Sequence, residues 1–460
     1  MTTETKANPP AEQPVPARKP SRLARLMRGL RGLHLPARAA IATAVLLVLL
    51  LAVVVSLYLF HPDHVPWRHS LSIERIVVVI LLTVAIPFVV YHGLRLWLEG
   101  EQSRFPEIDF AWQSGLSALE QNGLSIDAIP LFLVLGSAGE SFEQSLLAAS
   151  GMNFRVRGVP DGPAPLHWYA NPDGIFLFSN DVGWLSALVV RKQSAAGLAS
   201  EESAEQVQRL EYLCLLIRRI RHPLCGINGL LTLLPFELLL PPQRTQDELR
   251  KALQTDLAII RGELRLQCPV TTLISGMEQE RGFQELVRRA GPDRASIERF
   301  GNGFDLRAIP TRDELAALCL HVRGTFEDWI YEFFREEGVL SRPGNRHLYE
   351  LLGKIRGDVK HRLEAVLTGG YGSDPQKSST EPLLYSGCYF AASGESEDRQ
   401  AFVRGLFDKL EEEQEEIQWT PHALASESRD RWLAATGFTV CAALTLTLGL
   451  MVIQTMFWRG

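Results

Sequence analysis

Three stretches of this 460-residue sequence carry no charged side chain: residues 39–60, 76–94 and 432–458, of 22, 19 and 27 residues. Crossing a bilayer takes roughly 20 consecutive apolar residues, so these runs constrain the chain more than any average over it. They predict an integral membrane protein with spans at 39–60, 76–97 and 432–458. The first run is too long for a signal-peptide core and leads into His61-Pro62-Asp63-His64, with no small-residue cleavage site, so it reads as a retained anchor. Residues 1–38 hold eight Lys and Arg against Glu4 and Glu12, a charge of +6; the chain as a whole carries −6, which leaves −12 for the remainder. Basic residues ahead of a first span stay on the cytoplasmic side. The expected topology is a cytoplasmic N-terminus, an exported hairpin at 61–75, a cytoplasmic body at 98–431 and an exported C-terminus.

The flanks refine this expectation. Leu23, Leu26, Met27, Leu30 and Leu33 follow helical spacing among arginines, as in a helix lying in the membrane interface, and the Pro-rich start at 8–20 has the composition of a disordered tail. The second run carries Pro87 and His92, so a buried globular helix competes with a span there. In the third run Gly437, Cys441, Thr445 and Gly449 recur every four residues, a spacing that lets helices approach closely. The six cysteines are scattered without a CxxC pair, which argues against a zinc site or a disulfide framework.

The body reads as α/β. An apolar run at 128–135 ends in Gly136-Ser137-Ala138-Gly139 and is followed by helical sequence at 141–150, the strand, glycine loop, helix order of a nucleotide-binding domain. Further short apolar runs at 174–178, 227–234 and 269–274 alternate with helical stretches at 203–220 and 246–266, which predicts a mostly parallel sheet covered on both faces. From residue 311 helical periodicity dominates, so 98–310 reads as a P-loop-like α/β domain and 311–431 as a helical subdomain with a strand returning at 383–392.

A phosphate-binding loop needs G-x-x-x-x-G-K-[ST]: glycines that let backbone N–H groups wrap the phosphates, a lysine on them and a hydroxyl on the metal. The frame from Gly136 reads GSAGESFE. Gly136 and Gly139 remain, but the second fixed glycine is Ser141, the lysine position is Phe142 and the metal-binding hydroxyl is Glu143. Two carboxylates, Glu140 and Glu143, would face a ligand carrying about four negative charges, which is repulsive without a compensating cation. Retained glycines with lost charges predict a loop kept for its shape, with a simple turn as the competing reading.

Over most of its length the chain resembles the IcmF/TssM family of inner-membrane proteins of type VI and type IVB secretion. The segments that carry the resemblance are Leu131–Leu135 with the glycine loop and Ser150-Gly151-Met152-Asn153-Phe154; Leu166-His167-Trp168-Tyr169 with residues 173–183; Ile227-Asn228-Gly229-Leu230; residues 269–278 with Gly282-Phe283; and Tyr385-Ser386-Gly387-Cys388-Tyr389-Phe390. The resemblance implies the bacterial inner membrane, a DotU/TssL-like partner and other secretion-complex subunits. The family's nucleotide motifs, carried over residue by residue, fail. Its D-T-A-G falls on Phe178-Ser179-Asn180-Asp181, or one residue later with an insertion, and its base-reading T-K-x-D on Ser275-Gly276-Met277-Glu278, where Glu278 keeps a charge and the lysine is gone. The large periplasmic region of the family finds no counterpart, so the expected role is that of the anchored cytoplasmic half.

Other clusters have plainer readings. His61, Asp63, His64 and His69 have metal-ligand chemistry in a hairpin too short and Pro-rich for a cage. Glu411, Glu412, Glu413, Glu415 and Glu416 read as a solvated helix face or a docking surface for a basic partner. Arg218, Arg219, Arg221 and His222 suit a helix C-terminus better than nucleic acid, and Phe326, Trp329, Ile330, Phe333 and Phe334 share one helical face, as core residues do. The expectation is thus a scaffold with a pseudo-NTPase body, no cofactor, no metal site and no nucleic acid, its partners being protein subunits and the lipid bilayer. Its rivals are an NTPase that uses Lys192 or Lys251 with Asp181, and an envelope sensor.

Overall fold

The computed structural model describes residues 41–49, 85–92, 104–191, 200–221, 224–240, 244–335, 338–373 and 382–420, together with Trp432 and Thr436. Two compact units emerge, Met1–Arg104 with Cys441–Gly460, and Phe105–Val440. In the first unit, residues 41–49 and 85–92 are helical.

The three-span architecture expected from the apolar runs is not supported. Among the described residues no helix is long and apolar enough to cross a membrane. Of the first two runs, 41–49 and 85–92 are described, as helix, and of the third Trp432 and Thr436. A charge-free run establishes composition, whereas a span also requires one unbroken helix of roughly 20 residues. The remainder of those runs, the arginine-rich 23–33 segment, the histidines of 61–75 and the small residues at 437–449 lie outside the described residues.

The second unit is α/β, built as α1 (Pro106–Gln121), β1 (Leu131–Leu135), α2 (Glu140–Ala149), β2 (Val156–Val159), β3 (Leu166–Ala170), β4 (Ile175–Ser179), α3 (Trp184–Arg191), α4 (Ser200–Arg221), β5 (Gly229–Pro235), α5 (Arg244–Leu264), β6 (Leu266–Gln267), β7 (Val270–Ser275), α6 (Arg281–Ala290), α7 (Pro292–Ile297) and β8 (Gly301–Gly303). There follow α8 (Arg312–Phe333), α9 (Asn345–Lys354), α10 (Lys360–Gly370), β9 (Tyr385–Phe390), β10 (Ala392–Ser393), β11 (Gln400–Ala401), α11 (Arg404–Glu412) and β12 (Gln418–Trp419).

Eight strands form one sheet in the order β2-β3-β4-β1-β5-β7-β9-β8. The five central strands, β4 to β9, are mutually parallel, while β2, β3 and β8 run antiparallel to their neighbours. The sheet is therefore mixed rather than mostly parallel throughout, and connection length explains the first antiparallel edge. A parallel pair needs a crossover of a dozen or more residues, and the turn between β3 and β4 has four. Its first residue, Asn171, accepts hydrogen bonds through Oδ1 from the N–H groups of Asp173 (3.1 Å) and Gly174 (2.7 Å), an Asx turn that fixes the reversal.

Strands buried on both faces read as continuous apolar runs, and β1 (LFLVL) is buried at all five positions. Its alternate residues separate into two cores: Leu131, Leu133 and Leu135 face the larger one, with Trp112, Leu185, Leu213, Leu253 and Phe326, while Phe132 and Val134 face a smaller one with Leu146, Phe407 and Leu410. Helices α1, α3, α4, α5 and α8 thus cover one face, and α2 and α11 the other. Of the aromatic stripe expected at Phe326, Trp329, Ile330, Phe333 and Phe334, the first four are buried in the larger core and Phe334 packs against it half-buried. Thr311 caps α8 by accepting from Glu314 N at 3.3 Å.

The lower edge of the sheet, at the start of the parallel strands, is tied by Arg221 and Asn228. Arg221, at the end of α4, is 3 % exposed. It donates to the carbonyls of Cys225 (2.9 Å), Ile126 (2.6 Å) and Ile129 (2.8 Å) and to Asn228 Oδ1 (3.3 Å). Asn228 Oδ1 also accepts from Leu131 N at 3.0 Å, joining the starts of β1 and β5. Arg218 donates to the Glu263 carbonyl, so two arginines of the basic patch at the end of α4 serve the framework while Arg219 is exposed; His222 lies outside the described residues. Replacing Arg221 by Ala leaves one buried and two part-buried carbonyls without this donor, so Arg221→Ala is expected to lower unfolding free energy by about 1–3 kcal/mol, read from urea denaturation. A change within experimental scatter would contradict this role.

Candidate functional site at the carboxyl end of the central strand

From β1 the chain builds β4, β3 and β2 to one side and then crosses to β5, β7 and β9 on the other. The carboxyl end of β1 is therefore a topological switch point, the place where open α/β sheets bind ligands. The glycine loop, the Ser179–Asp181 turn and the Gly276–Glu278 turn all sit at carboxyl ends of these parallel strands.

Gly136 turns the chain out of β1 at φ 83°. A side chain there would meet the Leu233 carbonyl oxygen of β5 at 2.3 Å, so the glycine is demanded by conformation and by the close approach of a neighbouring strand. Its N–H donates to Ser186 Oγ of α3 (3.0 Å). Gly139, at φ 115°, starts α2. Of the next residues, Ser141 is exposed and Phe142 packs against the smaller core.

Glu143 points inward and is fully buried. Its Oε1 accepts from Ser137 Oγ of the glycine loop at 2.6 Å, and its Oε2 from Tyr169 OH of β3 at 3.2 Å. Oε2 also lies 2.7 Å from His167 Nδ1, two residues along β3 on the same face. The other ring nitrogen, Nε2, faces the Gly162 carbonyl at 2.8 Å. A carbonyl can only accept, so Nε2 carries hydrogen, and the Nδ1–Oε2 contact needs a second proton between its atoms. The pair is a buried imidazolium and carboxylate sharing that proton. Asn180 Nδ2 lies 2.8 Å from Nδ1 and 3.5 Å from the Ala164 carbonyl, and its Oδ1 is buried without a partner.

The electrostatics agree. Burial lowers the His167 pKa, but the Glu143 hydrogen bond and charge, the Gly162 carbonyl and Glu140 outweigh it and leave it raised. Tyr169 is pushed far above the ordinary phenol range by burial and by Glu143, so it stays a donor.

The remaining motif positions serve the framework. Ser179 Oγ donates to the Val182 carbonyl and lies 3.3 Å from Ser186 Oγ. Asp181 is exposed, accepts from Gln206 Nε2 (3.1 Å) and pairs with Arg209 of α4 (3.3 Å). Ser275 ends β7 beside Pro235, Gly276 adopts the left-handed conformation at φ 81°, and Glu278 Oε2 accepts from Ser393 N of β10 at 3.1 Å. Lys251 is exposed on α5, and Lys192 lies outside the described residues. Of the residues singled out in the sequence, the structure unites the glycine loop with Glu143 and leaves Asp181 and Glu278 engaged elsewhere.

A second buried carboxylate stands behind this edge. Asp256 of α5 accepts from Trp184 N (3.0 Å) and Leu185 N (2.8 Å), capping α3 across the fold. Burial pushes its pKa up to about 7 against the opposing pull of those two N–H groups. Among the described residues no group of three or more His, Cys, Asp or Glu side chains could hold a metal ion.

Three outcomes follow from this geometry. Glu143→Ala leaves a buried imidazolium unpaired and is expected to cost about 3–5 kcal/mol of stability, measured by urea denaturation; a cost below about 1 kcal/mol would contradict the pair. Gly136→Ala is expected to cost about 1–3 kcal/mol for backbone conformation alone, and an unchanged midpoint would contradict the close approach. Both Asp256 and His167 bind protons more tightly folded than unfolded, so stability falls as pH rises. The Asp256 contribution is lost between about pH 4 and 7, and that of His167 as pH rises above about 6.5 through its raised folded value. Urea midpoints between pH 5 and 9 should decline, with the upper part flattened in His167→Gln; a rising profile would refute both assignments.

None of the curated proteins and none of the solved structures compared matches the chain. Residues 203–332, from α4 to nearly the end of α8, match the family model described as IcmF-related N-terminal domain. This segment is thus similar to the IcmF-related family, over part of the chain.

Proposed function

We propose that the chain is a scaffold component of a type VI-like, IcmF/TssM-type secretion apparatus at the bacterial inner membrane, with a pseudo-NTPase body that docks partner subunits. The family match supports the secretion context and partnership with other secretion-complex subunits. The observation that carries the pseudo-NTPase reading is the use made of Glu143. In the position where a phosphate loop places a metal-binding hydroxyl stands a buried carboxylate already satisfied by Ser137, Tyr169 and His167. Phe142, in the lysine position, is packed against apolar side chains.

A magnesium nucleotide does not fit this donor set. Its phosphates would find Phe142 and Glu143 in place of lysine and hydroxyl, with Glu140 adding a second negative charge, and the residue in the base-reading position, Glu278, is bonded to the backbone of β10. Phosphoryl transfer rests on positioning and on stabilising charge, and single contacts of that kind are worth roughly 10²–10³ in rate. The DotU/TssL-like protein is the partner proposed first, because the resemblance of the α/β body implies it.

Affinity purification of the full-length protein from native membranes in mild detergent tests the scaffold. The expected result is co-purification of a DotU/TssL-like subunit, at equal yield with magnesium nucleotide or with a chelator present. Recovery of no secretion subunit, or recovery only with nucleotide, would overturn it.

A further inference from the structure

The Glu143–His167 pair joins three elements that flank the switch point. Ser137 connects the carboxylate to the glycine loop, Tyr169 and His167 present β3, and Nε2 holds the 160–165 loop through the Gly162 carbonyl. Both ring contacts need a hydrogen on nitrogen, because each faces an oxygen that otherwise offers only lone pairs. With one proton removed, either Nδ1 opposes the Glu143 carboxylate or Nε2 opposes the carbonyl, lone pair against lone pair. A buried acceptor left without its donor costs more than the hydrogen bond contributed.

We infer that the Glu143–His167 pair is a proton-operated latch, closing the glycine loop and the 160–165 loop over the end of β1 while its shared proton is present and releasing them when it leaves. The step is a simple deprotonation: the proton passes from between Nδ1 and Oε2 to hydroxide or buffer, leaving a neutral imidazole and a carboxylate. The charged and titratable groups near the ring from the elements around it are few. Helix α2 supplies Glu143 and Glu140, both of which favour the protonated ring. Strand β3 supplies Tyr169, held as a neutral donor. The 160–165 loop supplies the Gly162 carbonyl and carries the exposed Asp161, and the turn after β4 supplies the uncharged Asn180. On the opposite face of β3 lie Trp168 and Trp112, in contact with each other and uncharged.

The latch stands whether or not a nucleotide binds, so its failure and that of the pseudo-NTPase reading are separable. Two measurements on the full-length protein test it. In histidine-labelled protein, NMR should show both His167 ring nitrogens protonated at neutral pH and a transition above the ordinary value of about 6.5. Hydrogen exchange, expressed as protection over the intrinsic rate at each pH, should fall in residues 136–145 and 160–167 by up to about tenfold per pH unit beyond that transition, with β5 and β7 unaffected. His167→Gln should make protection of those loops independent of pH. A ring neutral at pH 6, or loop protection unchanged through the transition, would overturn the latch from the wild-type protein alone, whatever the fate of the variant.

Discussion

A carboxylate placed fully inside a protein must find donors or a proton, because burying the bare charge costs more than most single contacts return. Glu143 sits in the first turn of α2, at the one edge of the sheet where strand order reverses, and much of the local structure is organised around satisfying it. Ser137 turns inward from the glycine loop, β3 brings His167 and Tyr169 on the same face, and the 160–165 loop bends back to present the Gly162 carbonyl to the far side of the ring. The loop's shape follows from a second constraint, the close passage of Gly136 beneath β5, where no side chain fits. A loop with the outline of a phosphate cradle is thereby filled by the chain's own acid and base.

The same economy appears around the rest of the edge. Asp256 caps α3 from α5, Asp181 is taken by Arg209, and Glu278 is bound to the main chain of β10. Each carboxylate that could have met a cation or a base is engaged by a helix end, a guanidinium or a backbone N–H.

Much of the sheet was legible in the sequence, since strands buried on both faces leave short apolar runs bounded by turn residues. The runs at 128–135, 174–178, 227–234 and 269–274 became β1, β4, β5 and β7. The hairpin of β2 and β3 was not legible as such, because Val156–Val159 alternates weakly and the antiparallel edge is set by turn length and by the Asx turn at Asn171. At the site, Glu143 was identifiable as a residue in the wrong chemical place, but its partner was not. His167 lies 24 residues away across a helix and a strand, and only the alternation of His167 with Tyr169 on one face hinted at a polar cluster. The three spans expected from the sequence are not supported: among the described residues no helix is long and apolar enough to cross a membrane, and lack of charge over 19 to 27 residues specifies composition and not the length of a helix.

The family match covers 203–332, a segment that includes α4, β5, α5 and β7 but neither the glycine loop nor β3. The cradle is therefore filled by virtue of the geometry of Glu143, independently of the family. Calorimetric titration of the full-length protein with magnesium ATP and magnesium GTP tests that claim most directly. The account predicts no heat of binding for either. Micromolar binding abolished by Asp181→Ala would contradict it, because a working metal ligand would then stand where the structure places a residue bound to Arg209.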